Sequence, residues 1–147
     1  MLWLLRHGEA AEGRPDEARA LTERGRADAR NVGLALAALG VALDTCLSSP
    51  KQRALQTAQL VCAQLGIDFE LEPALAAGGW DAERLAAGRG QTLIVAHNPA
   101  ISGAVRDCSG ARVNMRAGGI AGIERGELVV LLTPAELARL AGAEALA

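Results

Sequence analysis

Two kinds of apolar pattern alternate along this chain. Short unbroken runs occur at Met1-Leu2-Trp3-Leu4-Leu5 and at Leu93-Ile94-Val95-Ala96. Runs this short, with no polar face, are the pattern of strands buried on both sides of a sheet. Longer segments carry apolar residues at helical spacing. Ala54, Ala58, Val61, Cys62 and Leu65 recur three and four apart, so they share one face of a helix over 51–65 that Gly66 ends. Thr22 is placed to cap a second helix, running to about Leu39 and stopped by Gly40. Asp44–Leu47 reads as another short strand, and the alternating segment Ile67–Leu71 as an edge strand. Short helices are expected near Asp81–Ala87 and from Pro99 to Asp107, with the proline in the first turn. Ile120–Glu124 and Glu127–Leu132 read as a hairpin about Arg125-Gly126. Thr133, Pro134 and Glu136 stand in the N-cap, first and third positions of a last helix. Segments 8–20 and 110–118 are polar or glycine-containing and read as loops.

Strands alternate with helices over the first two-thirds of the chain and pair as a hairpin at its end. This order predicts an α/β domain: a three-layer α/β/α sandwich with a mainly parallel central sheet and an antiparallel edge. At 147 residues, one domain over 1–147 is expected. A chain of this length buries roughly 68–70% of its unfolded surface, enough for a core without staples.

Composition narrows the function classes. The net charge is −2 and the aromatic residues are only Trp3, Phe69 and Trp80. There is no basic field for nucleic acid and no stacking platform for single strands. Cys46, Cys62 and Cys108 are odd in number and widely spaced, unlike a disulfide framework or a structural zinc site. They are expected to be reduced and mostly buried. The N-terminus has no basic region before its apolar run, and no run approaches the ~18 apolar residues of a membrane span. The expectation is a cytoplasmic protein with no membrane or nucleic-acid partner.

The chain has two histidines, each where an apolar run breaks into polar residues: Arg6-His7-Gly8-Glu9 and His97-Asn98-Pro99. Ligands of open α/β sheets bind outside the carboxyl ends of strands, so two imidazoles at two strand ends point to one shared site. A neutral imidazole is a nucleophile near neutral pH. The adjacent Arg6 guanidinium matches the geometry of a phosphate, and Gly8 lets backbone approach a ligand. Ser48-Ser49-Pro50-Lys51-Gln52-Arg53 is a third strand end leading into a helix start. Free N–H groups and the helix dipole attract anions there. Arg53 opposes that dipole, a conflict that a bound anion removes. His97, if protonated, would hydrogen-bond a phosphoryl oxygen.

Together these segments resemble the histidine phosphatase superfamily, which includes the cofactor-dependent phosphoglycerate mutases. The resemblance rests on Arg-His-Gly-Glu after the first strand, Ser-Ser-Pro-x-x-Arg-Ala-x-Gln-Thr after the second, and a later strand ending in His. Leu21-Thr22-x-x-Gly25 is similar to the small bacterial phosphohistidine phosphatases of the SixA type. The resemblance implies that His7 is the phosphorylated nucleophile, with Arg6, Arg53 and His97 around the phosphoryl group. It implies a phosphoglycerate mutase-like fold and two-step hydrolysis without cofactor or metal. Phosphoryl transfer depends on positioning and positive charge, which two arginines supply.

One feature departs from the family pattern. Many relatives carry a Glu in a Pro-Glu-Leu stretch near the third strand, where this chain reads Pro73-Ala74-Leu75. Glu9, Glu72 and Asp81 are candidate replacements for the missing acid. An alkoxide leaving group benefits from an acid, whereas imidazole, with a pKa of roughly 6.5, leaves without a strong one. The short segment between the Arg53 helix and His97 leaves no room for a large cap. Both features favour a protein phosphohistidine over a small phosphorylated metabolite. A small-metabolite phosphomonoesterase is the alternative enzyme, and an inactive phosphate-binding or adaptor module the alternative of another class. Arg112 and Arg116, in the 110–118 loop, are candidates for the substrate edge.

Overall fold

A computed structural model describes residues 1–142; residues 143–147 of the expected 1–147 domain lie outside the described residues. In chain order the elements are β1 (Leu2–Arg6), α1 (Glu23–Ala38), β2 (Thr45–Ser48), α2 (Gln52–Leu65), β3 (Glu70–Leu71) and α3 (Ala82–Ala86). They continue with β4 (Thr92–Ala96), α4 (Ala100–Ser109), β5 (Ile120–Glu124), β6 (Glu127–Leu132) and α5 (Pro134–Leu140). Single 3-10 turns lie at Asp16–Ala18 and Pro73–Ala76.

The strands form one sheet in the order β3-β2-β4-β1-β5-β6. The first four are mutually parallel, whereas β5 runs antiparallel to both β1 and β6. This is the expected three-layer α/β sandwich with an antiparallel edge. Alternation along each central strand divides the core. Leu5, Leu93 and Val95 face a cluster with Val32 and Leu36 of α1, Val61 of α2 and Leu137 of α5. Leu4 and Ile94 face the other side, with Leu75, Ile101, Val105 and Ala121. All five residues of β4 are buried, so the run that shows no polar face in sequence is the strand covered on both sides.

Helix ends follow local chemistry. The Thr22 side chain accepts the Gly25 N–H, and Gly40 closes α1 in the left-handed region. Thr133 donates its N–H and hydroxyl to the Glu136 carboxylate at the start of α5. The β5–β6 turn places Arg125 and Gly126 at positive φ, as a two-residue hairpin loop requires.

Three boundaries differ from the sequence pattern. The edge strand shrinks to Glu70–Leu71 because Ile67 and Phe69 pack into the core beside α2 before pairing begins. Pro99 is the cap of α4 and not its first residue, and Asp81 likewise stands just outside α3. Cys46, Cys62 and Cys108 are free thiols, the first two buried and the third half-buried. Among the described residues, no helix is long and apolar enough to cross a membrane.

Candidate active site

Strand register assembles the site. Arg6 stands opposite Ala96 in the β1–β4 ladder, and Ser48 opposite Val95 in the β2–β4 ladder. The residues that follow therefore leave the sheet side by side. The His7 N–H donates to the Ala96 carbonyl at 3.1 Å, and the Ser49 N–H to the Val95 carbonyl at 3.0 Å. Three parallel strand ends thus deliver His7, His97 and the start of α2 to one edge, as the rule for open α/β sheets anticipates.

The two imidazoles are neighbours, with ring centroids 5.1 Å apart and planes tilted by 54°. His7 Nδ1 lies 2.7 Å from the Gly8 carbonyl. A carbonyl only accepts, so Nδ1 carries the hydrogen and Nε2 keeps its lone pair. Burial pushes the His7 pKa down to about 4; the Gly8 contact pulls upward, and the charges of Arg53 and Arg6 push it further down. His97 falls to about 3, from burial first and then from His7, Arg53 and Lys51. His97 Nε2 lies 2.7 Å from Ser49 Oγ, which already accepts the Lys51 N–H. We assign the Ser49 proton to His97 Nε2. The neutral ring then carries its hydrogen on Nδ1, a buried atom with no partner among the described residues.

The arginines are held from different directions. Arg6 Nη1 donates to the Met115 carbonyl at 2.8 Å, and its buried Nε has no partner among the described residues. Arg53 is buried, with 7% of its surface exposed, and both of its Nη atoms reach Asp16: Nη1 to the carbonyl at 2.9 Å, Nη2 to the carboxylate at 3.2 Å. Arg19 and Lys51 approach the same carboxylate at 3.1 and 3.5 Å. Hydrogen bonds from Arg19 and Arg53 hold the Asp16 pKa down, at about 2, so this group stays ionised. A cavity of about 370 Å³ is lined by Lys51, Arg53, His97 and Asn98 together with Ala76, Ala77 and Gly78.

The motif residues between these groups have structural roles that their spacing does not reveal. Thr57 accepts the Gly8 N–H at 3.1 Å and donates to the Arg53 carbonyl at 2.8 Å, so one buried hydroxyl joins the His7 loop to the Arg53 turn. Gln56 accepts the Leu21 N–H at 2.7 Å, fastening the 8–20 loop to α2. A Cβ on Gly8 would meet the Gly25 carbonyl oxygen at 2.8 Å, and one on Gly25 would meet the Glu9 oxygen at 2.2 Å. Gly8 therefore serves close backbone packing against the start of α1, where the sequence suggests approach to a ligand. Thr57, Gln56, Ser49, Lys51, Asp16 and Arg19 are the residues that sequence reasoning left without a role. The first four lie in or beside the second motif, whereas Asp16 and Arg19 carry no periodic signal.

The candidate acids lie elsewhere. The Glu9 carboxylate accepts the Thr22 hydroxyl at 3.0 Å. Glu72 caps the 3-10 turn through the Ala74 N–H, and Asp81 caps α3 through the Arg84 N–H, each at 3.1 Å. None of the three lines the cavity beside Arg53 and His97. Arg6 and His7 do not line it either, and their place at the site rests on the strand register and on the 5.1 Å approach of the two imidazoles. Among the described residues, no group of three or more His, Cys, Asp or Glu side chains is arranged to hold a metal ion.

The sequence model of the histidine phosphatase superfamily (branch 1) matches residues 2–85. The chain belongs to the histidine phosphatase superfamily. This superfamily member overlays the protein histidine phosphatase SixA, solved with tungstate, with a TM-score of 0.82 at 25% identity, covering 92% of this chain and 98% of that one. A SixA-type protein from Agrobacterium tumefaciens gives 0.79 at 26% identity, over 90% and 97%. The mitochondrial serine/threonine-protein phosphatase Pgam5 of Drosophila melanogaster is 41% identical over 70 residues, 47% of this chain and 24% of its own length. The chain spans about a quarter of the length of the curated relatives it matches. The solved neighbours and the curated relatives are named as phosphatases.

Proposed function

We propose that this chain is a metal-independent phosphatase that acts on protein phosphohistidine in the cytoplasm through a phosphohistidine formed on His7. The observation that carries this reading is the wall of the cavity. Arg53, Lys51 and His97 provide positive charge and hydrogen bonding. The rest of the lining, which includes Ala76, Ala77 and Gly78, contributes no carboxylate. The carboxylate bonded to the pocket's cations, Asp16, is held ionised and is no proton donor. Such a site suits a leaving group that departs without a strong acid, and imidazole, with a pKa of roughly 6.5, is one. The likeness to SixA, whose solved form binds the oxyanion tungstate, supports an oxyanion pocket here.

In the first step His7 Nε2 attacks phosphorus in line. The new N–P bond forms as the bond to the substrate ring breaks, and that ring, protonated on its other nitrogen, takes the electron pair and leaves as neutral imidazole. Arg6 and Arg53 hold the equatorial oxygens, His97 joins them when its Nε2 exchanges Ser49 for a phosphoryl oxygen, and the positive field lowers the barrier by electrostatic stabilisation. The phosphoryl dianion offsets the positive neighbours that add to burial in keeping His97 neutral, so binding favours a proton on that ring. In the second step water attacks phosphorus, the N–P bond breaks, and phosphate and a proton are released.

The test is single-turnover labelling with a phosphohistidine peptide, alongside kcat/KM on sugar, nucleotide and phosphoserine esters. Acid-labile phosphate should appear on His7, and His7→Ala should abolish both label and release. Full activity in His7→Ala would overturn the mechanism. A hundredfold preference for one ester would overturn the substrate.

A further inference from the structure

Beside the catalytic cavity lies a second depression of about 510 Å³, bounded by Pro99, Ser102, Arg106, Arg112 and their neighbours. The two depressions share Pro99 as a lining residue, so they adjoin at the start of α4. We propose that this depression is a docking subsite for an acidic polypeptide segment flanking the phosphorylated side chain of the substrate. The proposal rests on the phosphoprotein reading above and adds to it a site and a sequence preference.

Charge is the first argument. The exposed guanidinium groups of Arg106 and Arg112 make no hydrogen bond or ion pair with any described residue. Arg14, Arg30, Arg84, Arg116 and Arg125 are likewise unpaired among the described residues; what sets Arg106 and Arg112 apart is that both line one depression next to the catalytic cavity. Arg106 sits in the last turn of α4, where the helix dipole favours a cation; Arg112 has no such reason to be there. The surface beyond α4 has the opposite sign, because Asp81, Glu83 and Asp107 line a separate cavity with Cys108. An acidic segment leaving the catalytic cavity is repelled on that side and attracted on the Arg106 side. A neutral or basic segment gains nothing from the groove.

Rigidity is the second argument. The loop that carries Arg112 is tied to the catalytic machinery. Asn98, next to His97, donates to Asn114 at 3.0 Å and accepts the Ser102 hydroxyl. Ser102 in turn accepts the Met115 N–H at 3.0 Å, and the Met115 carbonyl receives Arg6. The basic rim therefore stands at a fixed offset from the phosphoryl site. Arg116, the other candidate for the substrate edge, lines only a further depression with Leu131 and Thr133, which Arg112 borders as well.

The spacing follows from the helix. Arg106 stands seven positions beyond Pro99, about 10 Å at the usual rise. An extended peptide covers that distance in about three residues. The preferred substrate thus carries Asp or Glu about three residues from the phosphorylated side chain.

The experiment compares the full chain with the Arg106→Ala/Arg112→Ala double variant on three substrates. These are a phosphohistidine peptide with Asp three residues away, the same peptide with Asn there, and 4-nitrophenyl phosphate. The expected result is roughly a tenfold higher kcat/KM on the acidic peptide for the wild type, weakened by salt. The double variant should lose that preference and keep its rates on the other two substrates. Equal rates on both peptides in the wild type, or an undiminished preference in the variant, would overturn the groove and leave the phosphohistidine reading standing. An equal loss on all three substrates would also overturn it, since the arginines would then act through the catalytic pocket. Turnover of 4-nitrophenyl phosphate with none of either peptide would overturn the phosphohistidine reading, and the groove with it.

Discussion

The Arg53 guanidinium is joined to Asp16 twice, through the backbone carbonyl at 2.9 Å and the carboxylate at 3.2 Å. Arg53 opens α2, where a cation opposes the helix dipole, and it is almost fully buried. The 8–20 loop supplies its counter-charge and fixes the plane of its fork. The same carboxylate draws in Arg19 and Lys51, so one anion gathers three cations beside the proposed phosphoryl site.

Replacing Asp16 by Asn separates geometry from charge. The loop keeps its carbonyl contact, but the fork loses its second anchor while the pocket becomes more positive. We expect kcat to fall roughly tenfold, about 1.4 kcal/mol of barrier, with inhibition by inorganic phosphate unweakened. Equal losses in kcat and phosphate affinity would show that Asp16 does not position Arg53.

The neutral state of His7 has a measurable consequence. With a pKa of about 4, Nε2 stays unprotonated across the neutral range and is lost as nucleophile only as the pH falls toward 4. The His7 ring should titrate by NMR near 4, well below the usual 6.5. Arg53→Ala, by removing a positive neighbour, should move that midpoint upward. A midpoint at 6.5 in the wild type would contradict the buried environment.

Stability carries the same signature. In the unfolded chain both histidines take up protons near 6.5, whereas the folded chain resists until about 4 for His7 and about 3 for His97. Below 6.5 the unfolded state binds more protons, so stability is complete above 6.5 and declines as the pH falls toward the folded values. Urea midpoints measured from pH 7.5 to 5 should drop, and less so in His97→Gln. A midpoint independent of pH over that range would refute the linkage.

Much of this architecture is legible in the sequence, because the central strands and the helices announce themselves by pattern. The Leu93–Ala96 run is buried on both faces, and Thr22, Gly66 and Thr133 mark helix ends by their own chemistry. His7, Arg53 and His97 are legible as strand-end or helix-start groups. What the sequence hides depends on contacts between distant segments. Asp16 reaches Arg53 across 37 residues, and the loop holding it is fastened by Gln56 to Leu21, 35 residues away. Nothing periodic in 8–20 encodes that arrangement. The edge strand is misjudged for a related reason: Ile67 and Phe69 satisfy an alternating pattern by entering the core, without a partner strand.

Thr57 offers a near-isosteric test of the link between motifs. In Thr57→Val the Gly8 N–H loses its buried acceptor, which costs about 1–3 kcal/mol. The loop holding His7 and the turn holding Arg53 also lose their shared hydroxyl. We expect a lower denaturation midpoint and a kcat reduced more than KM is raised. Wild-type kcat in a destabilised variant would make Thr57 a folding residue only.

The Gly8–Gly25 contact gives the sharpest steric prediction. Gly→Ala in a helix ordinarily stabilises by up to about 1 kcal/mol. At Gly25 the added Cβ falls 2.2 Å from the Glu9 oxygen and 3.0 Å from its nitrogen. Both are backbone atoms with no flexible side chain to yield, so overpacking of about 1–3 kcal/mol outweighs the propensity gain. The displaced segment adjoins His7, and kcat should fall along with stability. Gly103, inside α4, is the matched control, because a Cβ added there meets no atom within 4 Å. Gly103→Ala should raise the denaturation midpoint and leave turnover of 4-nitrophenyl phosphate unchanged. If both variants stabilised the fold, the close approach of the His7 loop to α1 would be wrong.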